Sequence, residues 1–149
     1  VSGVLMGVDI VDLARVERAA RRGGELFARR LTTEAERALG PGPAVFSVKE
    51  SLIKAVGSRP PGFTWHDFEA AAPLPAGRCA DLLDEAATEL AGSTGFDLTG
   101  GASYTVRGAS ARAATRRLNG RGGVAGAARW GEGDGLFVSL AIVFMDGSV

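Results

Sequence analysis

Apolar residues recur along this chain with two periods, and the switches between them mark its elements. The opening run Leu5-Met-Gly-Val-Asp-Ile-Val11 is apolar except for one carboxylate, which reads as a short buried strand. Leu13, Val16 and Ala20 then fall on one side of a helix whose other positions are mostly charged; Asp12 is placed to cap it and Gly23-Gly24 to close it. A short helix over 25–30 follows, and Thr32 or Thr33 caps a third that ends near Gly40. Gly40-Pro-Gly-Pro43 is a turn, with Pro43 opening a helix that runs to Gly57. After a loop at Arg59-Pro-Pro-Gly62, residues 64–71 read as a strand.

The second half is predicted as a Pro- and Gly-rich stretch over 73–77, a helix over 79–90, a loop over 92–101, a strand over 102–107 and a helix over 110–118. A glycine-rich turn at 120–123 leads into two strands ending near Phe144. This order predicts an α+β fold. No repeat stands out at a fixed period and no linker divides the chain, so residues 1–149 are expected to form one domain, a length sufficient to bury a core.

Composition narrows the function classes. A hydrophobic content of 46% and a mean hydropathy of +0.11 fit a compact globule, and no apolar run approaches the roughly 20 residues of a membrane helix. The run 4–11 lacks the basic flank and cleavage site of a secretory signal. A single cysteine, Cys79, excludes an internal disulfide and fits a reducing cytoplasm. Net charge is zero, which argues against a whole-chain nucleic-acid surface, yet the charge is uneven: Arg15, Arg18, Arg21, Arg22, Arg29 and Arg30 crowd one stretch.

Of the 17 basic residues only Lys49 and Lys54 are lysine, and they flank Glu50 in Phe46-Ser-Val-Lys-Glu-Ser-Leu-Ile-Lys54. A lysine ammonium is a compact, mobile point charge whose pKa answers to burial, whereas a guanidinium is a planar fork that stays charged. Glu50 and Lys54 lie one helical turn apart on the same face, either as an ordinary helix pair or as two groups acting on one ligand. Asp9 favours the second reading, because a carboxylate in an apolar strand requires a cation or donor beside it.

The triplet Gly7-Val-Asp9 followed by Phe46-Ser-x-Lys-Glu-Ser-x-x-Lys54 resembles the two-part signature of the 4'-phosphopantetheinyl transferases, in particular the short holo-acyl-carrier-protein synthase type. The resemblance extends through Asp9-Ile-Val-Asp-Leu-Ala-Arg15, Phe27-Ala-Arg-Arg-Leu-Thr-x-Glu34 and Phe63-Thr-Trp-His-Asp-Phe-Glu69, and weakens after residue 70. It implies an antiparallel sheet packed against helices, one pseudo-half of the duplicated fold of longer members, with 73–101 as an insertion. The implied reaction moves the 4'-phosphopantetheine arm from coenzyme A to a serine of an apo acyl or peptidyl carrier protein, releasing 3',5'-ADP, with Mg2+ required.

By the same resemblance Asp9 and Glu50 hold the metal, Glu50 takes the serine proton directly or through a metal-bound water, Lys54 neutralises charge on the transferring phosphate, and Lys49 sits on a phosphate of coenzyme A. The arginines Arg15, Arg18 and Arg22 would dock an acidic carrier protein, of fatty-acid, polyketide or peptide synthesis; a solvated helix face is the alternative for each singly. The family's late Ser-x-Ser-His motif is replaced by Val124-Ala-Gly-Ala-Ala-Arg-Trp-Gly-Glu-Gly-Asp134, where Arg129 would substitute on a phosphate. Short members form trimers with sites between subunits, so a homotrimer is expected, its shared core lined by the apolar strands over 136–144. Two other functions stay open: a relative that keeps the metal site without transferring, and a carrier-binding module that needs Arg15 and Arg22 but not Asp9 and Glu50. His66, the only histidine, reads as structural within a strand, and Gly120-Arg-Gly-Gly123 reads as a turn because it follows a helix, the reverse of a dinucleotide-binding context.

Overall fold

A computed structural model describes residues 3–38, 44–71 and 77–147. β1 (Val4–Asp12) is followed by α1 (Leu13–Leu31), α2 (Glu34–Ala38), α3 (Ala44–Val56), a 3-10 turn (Trp65–Asp67) and β2 (Phe68–Ala70). Next come α4 (Arg78–Thr94), β3 (Gly100–Val106), α5 (Gly108–Arg117), β4 (Val124–Gly133) and β5 (Leu136–Met145). The strands form one antiparallel sheet in the order β1-β5-β4-β3-β2. The predicted α+β class is thus realised.

Period-two alternation assigns the sheet two apolar faces. On one, Ala141, Val143 and Met145 of β5 and Tyr104 and Val106 of β3 pack with Val48, Leu52, Ala55 and Val56 of α3. On the other, Val138, Leu140, Ile142 and Phe144 pack with Cys79, Leu83 and Ala87 of α4. β5 is therefore covered on both sides within one chain, and the expectation that it lines a core shared between subunits is corrected: α4, from within the segment 73–101, already occupies that face. Among the described residues the large apolar side chains left exposed are Leu26 on α1 and Met6, Val8 and Ile10 on the outer face of the edge strand β1.

Local chemistry explains most boundaries. Asp12 accepts from the Arg15 N–H and caps α1 as expected. The predicted stop at Gly23-Gly24 is a kink, because Gly24 at φ 53° takes a conformation other residues resist and helix resumes to Leu31. Thr33 and Glu36 exchange hydrogen bonds in a capping box at the start of α2. The α3 C-terminus is closed by Arg117, whose Nη1 donates to the carbonyls of Ala55 and Val56 at 3.1 and 2.7 Å. The predicted turn at 40–43 and the start of the stretch at 73–77 fall outside the described residues.

The strand expected over 64–71 is cut to 68–70. Thr64 accepts from the His66 N–H and forms a capping box with Asp67, which winds residues 65–67 into a 3-10 turn. The buried Asp67 carboxylate then accepts from the N–H and hydroxyl of Ser110 and fixes the start of α5. His66 is exposed on that turn, with Nε2 2.8 Å from the Arg29 carbonyl oxygen, a structural role in a different element from the one expected.

Candidate functional site

Gly7 makes the site possible. A Cβ at this position would run into the Ser51 carbonyl oxygen and lie 2.5 Å from the Ala55 nitrogen, so only glycine lets α3 lie this close on β1. The close approach sets Asp9, two residues along the same face of β1, against the lysine motif of α3. The buried Asp9 carboxylate accepts from Lys54 Nζ at 2.8 Å on Oδ1 and from Ser47 Oγ at 3.0 Å on Oδ2. The cation that Asp9 requires is Lys54. The lysine side chain is 52% exposed, so its ammonium has donors to offer a ligand besides the one given to Asp9.

Asp9 and Glu50 border one cleft of about 440 Å3, together with Asp12 and Arg15 at the start of α1 and an apolar wall that includes Ile10, Phe27 and Phe46. Glu50 Oε1 accepts from Arg59 Nη2 at 2.9 Å. Asp9 and Glu50, two of the three carboxylates on the wall of this open cleft, each have further lone pairs and match in kind the donors of a hard divalent cation that takes one or two carboxylates with phosphate oxygens and water. Among the described residues there is no cluster of three or more His, Cys, Asp or Glu side chains that would hold a metal by itself.

Two expected phosphate ligands lie elsewhere. Lys49 is 0% exposed; its ammonium donates to the Leu31 carbonyl, to Glu36 Oε1 at 2.7 Å and to the Trp65 carbonyl at 3.2 Å. Position i−1 to Glu50 turns it a full 100° around the helix, into the core rather than the cleft. Burial lowers its pKa from the ordinary lysine value, opposed by the hydrogen bond and charge of Glu36. Its assignment to coenzyme A is therefore corrected: Lys49 ties α3 to the end of α1, to α2 and to the 3-10 turn. Arg129 points to the other face of the sheet, where its Nε lies 3.4 Å from Asp84 Oδ1 of α4, so it does not join Asp9 and Glu50 within the chain.

Sequence reasoning overlooked a buried serine cluster. Ser139 Oγ lies 2.8 Å from Ser47 Oγ and 2.6 Å from Ser51 Oγ, and it also donates to the Ser47 carbonyl. Ser139 sits opposite Asp9 in the β1–β5 ladder, so the cluster holds the hydroxyl that holds the carboxylate. The signal was there: Ser139 interrupts an apolar strand as Asp9 does, and the argument for a required partner applies equally. Arg59 was also missed, since a lone arginine in a Pro-rich loop carries no pattern.

The family model described as the 4'-phosphopantetheinyl transferase superfamily matches residues 5–90, more than half of the chain, and spans β1, the lysine motif and most of α4. The chain belongs to the 4'-phosphopantetheinyl transferase superfamily. Among relatives, the holo-[acyl-carrier-protein] synthase of Koribacter versatilis is 34% identical over 98 residues, covering 60% of this chain and 78% of the relative. That of Leifsonia xyli subsp. xyli is 50% identical over 66 residues, 43% of this chain and 54% of the relative. That of Paramagnetospirillum magneticum is 38% identical over 76 residues, 44% and 56% respectively. The chain thus spans just over half the length of several curated relatives it matches.

Solved transferase structures share the fold. The Helicobacter pylori holo-[acyl-carrier-protein] synthase in complex with coenzyme A aligns with a TM-score of 0.57 at 16% identity over 93% of this chain and 99% of its own. The "Chronobacterium ammoniagenes" synthase–coenzyme A complex aligns at 0.58 and 16% identity over 97% and 98%. No described helix is long and apolar enough to cross a membrane.

Proposed function

We propose that the chain transfers the 4'-phosphopantetheine arm of coenzyme A to a serine of an apo acyl carrier protein. The observation that carries this reading is the meeting of Asp9 and Glu50, from the two halves of the family signature, at one open cleft beside the basic helix α1, with Lys54 paired to Asp9. The serine oxygen attacks the phosphorus that bears pantetheine; the phosphoanhydride P–O bond breaks and 3',5'-ADP leaves. Glu50 borders the cleft and accepts the serine proton. Lys54, held by Asp9, meets negative charge that builds on the transferring phosphate, which is the main demand of phosphoryl transfer. Asp9 and Glu50 would hold Mg2+, which when bound neutralises the pyrophosphate.

Docking of the carrier is assigned to α1. Arg15, Arg18 and Arg22 are exposed there, and Leu26, 81% exposed just beyond the Gly24 kink, adds an apolar contact among the basic side chains. An acidic carrier surface would be steered to this helix and placed beside the cleft. With β5 covered by α4, the homotrimer that belongs to this reading would have to form on the outer face of β1, where Ile10 is 56% exposed next to Asp9; light scattering of the whole chain tests it, and a monomeric active chain would exclude it. The same reading places the protein in the cytoplasm.

The site assignment is tested by Asp9→Ala and Glu50→Ala. Each should abolish Mg2+-dependent labelling of an apo carrier with circular dichroism unchanged, and full activity in either would refute it.

A further inference from the structure

The two carboxylates assigned to the cation site, Asp9 and Glu50, each already have a cation of their own. Lys54 lies on Asp9, and Arg59, from the loop after α3, lies on Glu50 at 2.9 Å. Arg59 is further held from behind: its guanidinium carbon is 4.8 Å from the centroid of Trp65 and 5.5 Å from that of Phe63. Trp65 is a fixed shelf, since its ring meets Phe46 at 5.7 Å and Phe63 edge-on at 5.6 Å while its carbonyl accepts from Lys49. A guanidinium that stacks on an aromatic face and pairs with a carboxylate at once has far less freedom than an isolated surface arginine.

We infer that Arg59 is the resident counter-cation of Glu50, a positioning residue that competes with a divalent cation for this carboxylate. The inference rests on the reading of Asp9 and Glu50 as the cation site. In the free chain Asp9, Asp12 and Glu50 are balanced by Lys54, Arg15 and Arg59, so a dication entering the cleft meets no net attraction and must loosen the Arg59–Glu50 pair. An anionic pyrophosphate supplies the missing negative charge. Cation affinity is thereby coupled to the presence of the anionic substrate, and the aromatic shelf keeps the displaced guanidinium beside the cleft.

The test is Mn2+ binding to the full chain without any nucleotide, read from the electron paramagnetic resonance of the free ion, for the unmodified chain, Arg59→Ala, Arg59→Lys and Asp9→Ala. Arg59→Ala should bind Mn2+ at least threefold more tightly than the unmodified chain, Arg59→Lys should fall between them, and Asp9→Ala should bind more weakly. In a Trp130→Phe background, which leaves Trp65 as the sole tryptophan of the two, Mg2+ should change the emission, and Arg59→Ala should remove that change. If Asp9→Ala weakens Mn2+ binding while Arg59→Ala leaves it equal or weaker, the inference about Arg59 fails and the cation site stands. If Mn2+ binding is absent from Arg59→Ala as well as from the unmodified chain, or indifferent to Asp9→Ala, both are overturned.

Discussion

Lys49→Met separates a structural lysine from a substrate-binding one. The substitution keeps a long unbranched side chain but removes the ammonium, and with it three hydrogen bonds from a charged donor. It also strands Glu36, whose buried carboxylate would keep only backbone donors from Thr33 and Ala70. Breaking a buried ion pair from one side costs about 3–5 kcal/mol, most of it the uncompensated charge. For a chain of this length that corresponds to a fall of about 6–20 °C in melting temperature, and it consumes a large part of the roughly 5–15 kcal/mol available to a domain. The double variant Lys49→Met/Glu36→Gln should recover a substantial part of the loss, because the amide leaves no buried charge. Urea and thermal unfolding followed by circular dichroism measure both. A Lys49→Met chain as stable as the original, but inactive, would refute the structural reading and return Lys49 to the substrate.

Gly7→Ala should fold poorly, or lose transfer out of proportion to stability, since its methyl group pushes α3 and with it Glu50 and Lys54 away from Asp9; an unaltered rate would show that the approach is not needed. Arg18→Glu and Arg22→Glu, both outside the cleft, should raise the KM for the carrier several-fold and leave that for coenzyme A unchanged, with the carrier KM rising with salt because exposed charges are screened over about 8 Å at physiological ionic strength. Tyr104, the single tyrosine, is pushed above its ordinary pKa chiefly by burial. Its contribution to stability is fully present below about pH 10, the unfolded pKa, and is lost as pH rises from there towards the higher folded value. Absorbance titration should therefore show the phenolate forming steeply with alkaline unfolding, and smooth titration in the folded chain near pH 10 would contradict this burial.

Local signals explain why some of this was legible and some was not. Asp9 in an apolar strand, Asp12 at a helix start and the glycine pair at 23–24 each act within a few residues, and the structure places them where the pattern puts them. The partner of Asp9 was legible in kind because a buried carboxylate requires one. Lys49 was misread because motif membership carries no helical phase: Glu50 and Lys54 share a face one turn apart, while Lys49 is turned into the core. His66 was misplaced because the Thr64–Asp67 capping box outweighs the strand propensity of its neighbours. The cover that α4 lays on β5 depends on tertiary packing, and its amphipathic pattern alone does not say which apolar surface it will meet.

One mass measurement tests phosphopantetheine transfer most directly. An apo acyl carrier protein incubated with the chain, coenzyme A and Mg2+ should gain the mass of one phosphopantetheine arm on its serine, and should gain nothing with Glu50→Ala or when a chelator replaces the metal. No gain on any of a panel of fatty-acid, polyketide and peptide carriers, with the protein folded and coenzyme A in excess, would contradict the transferase reading.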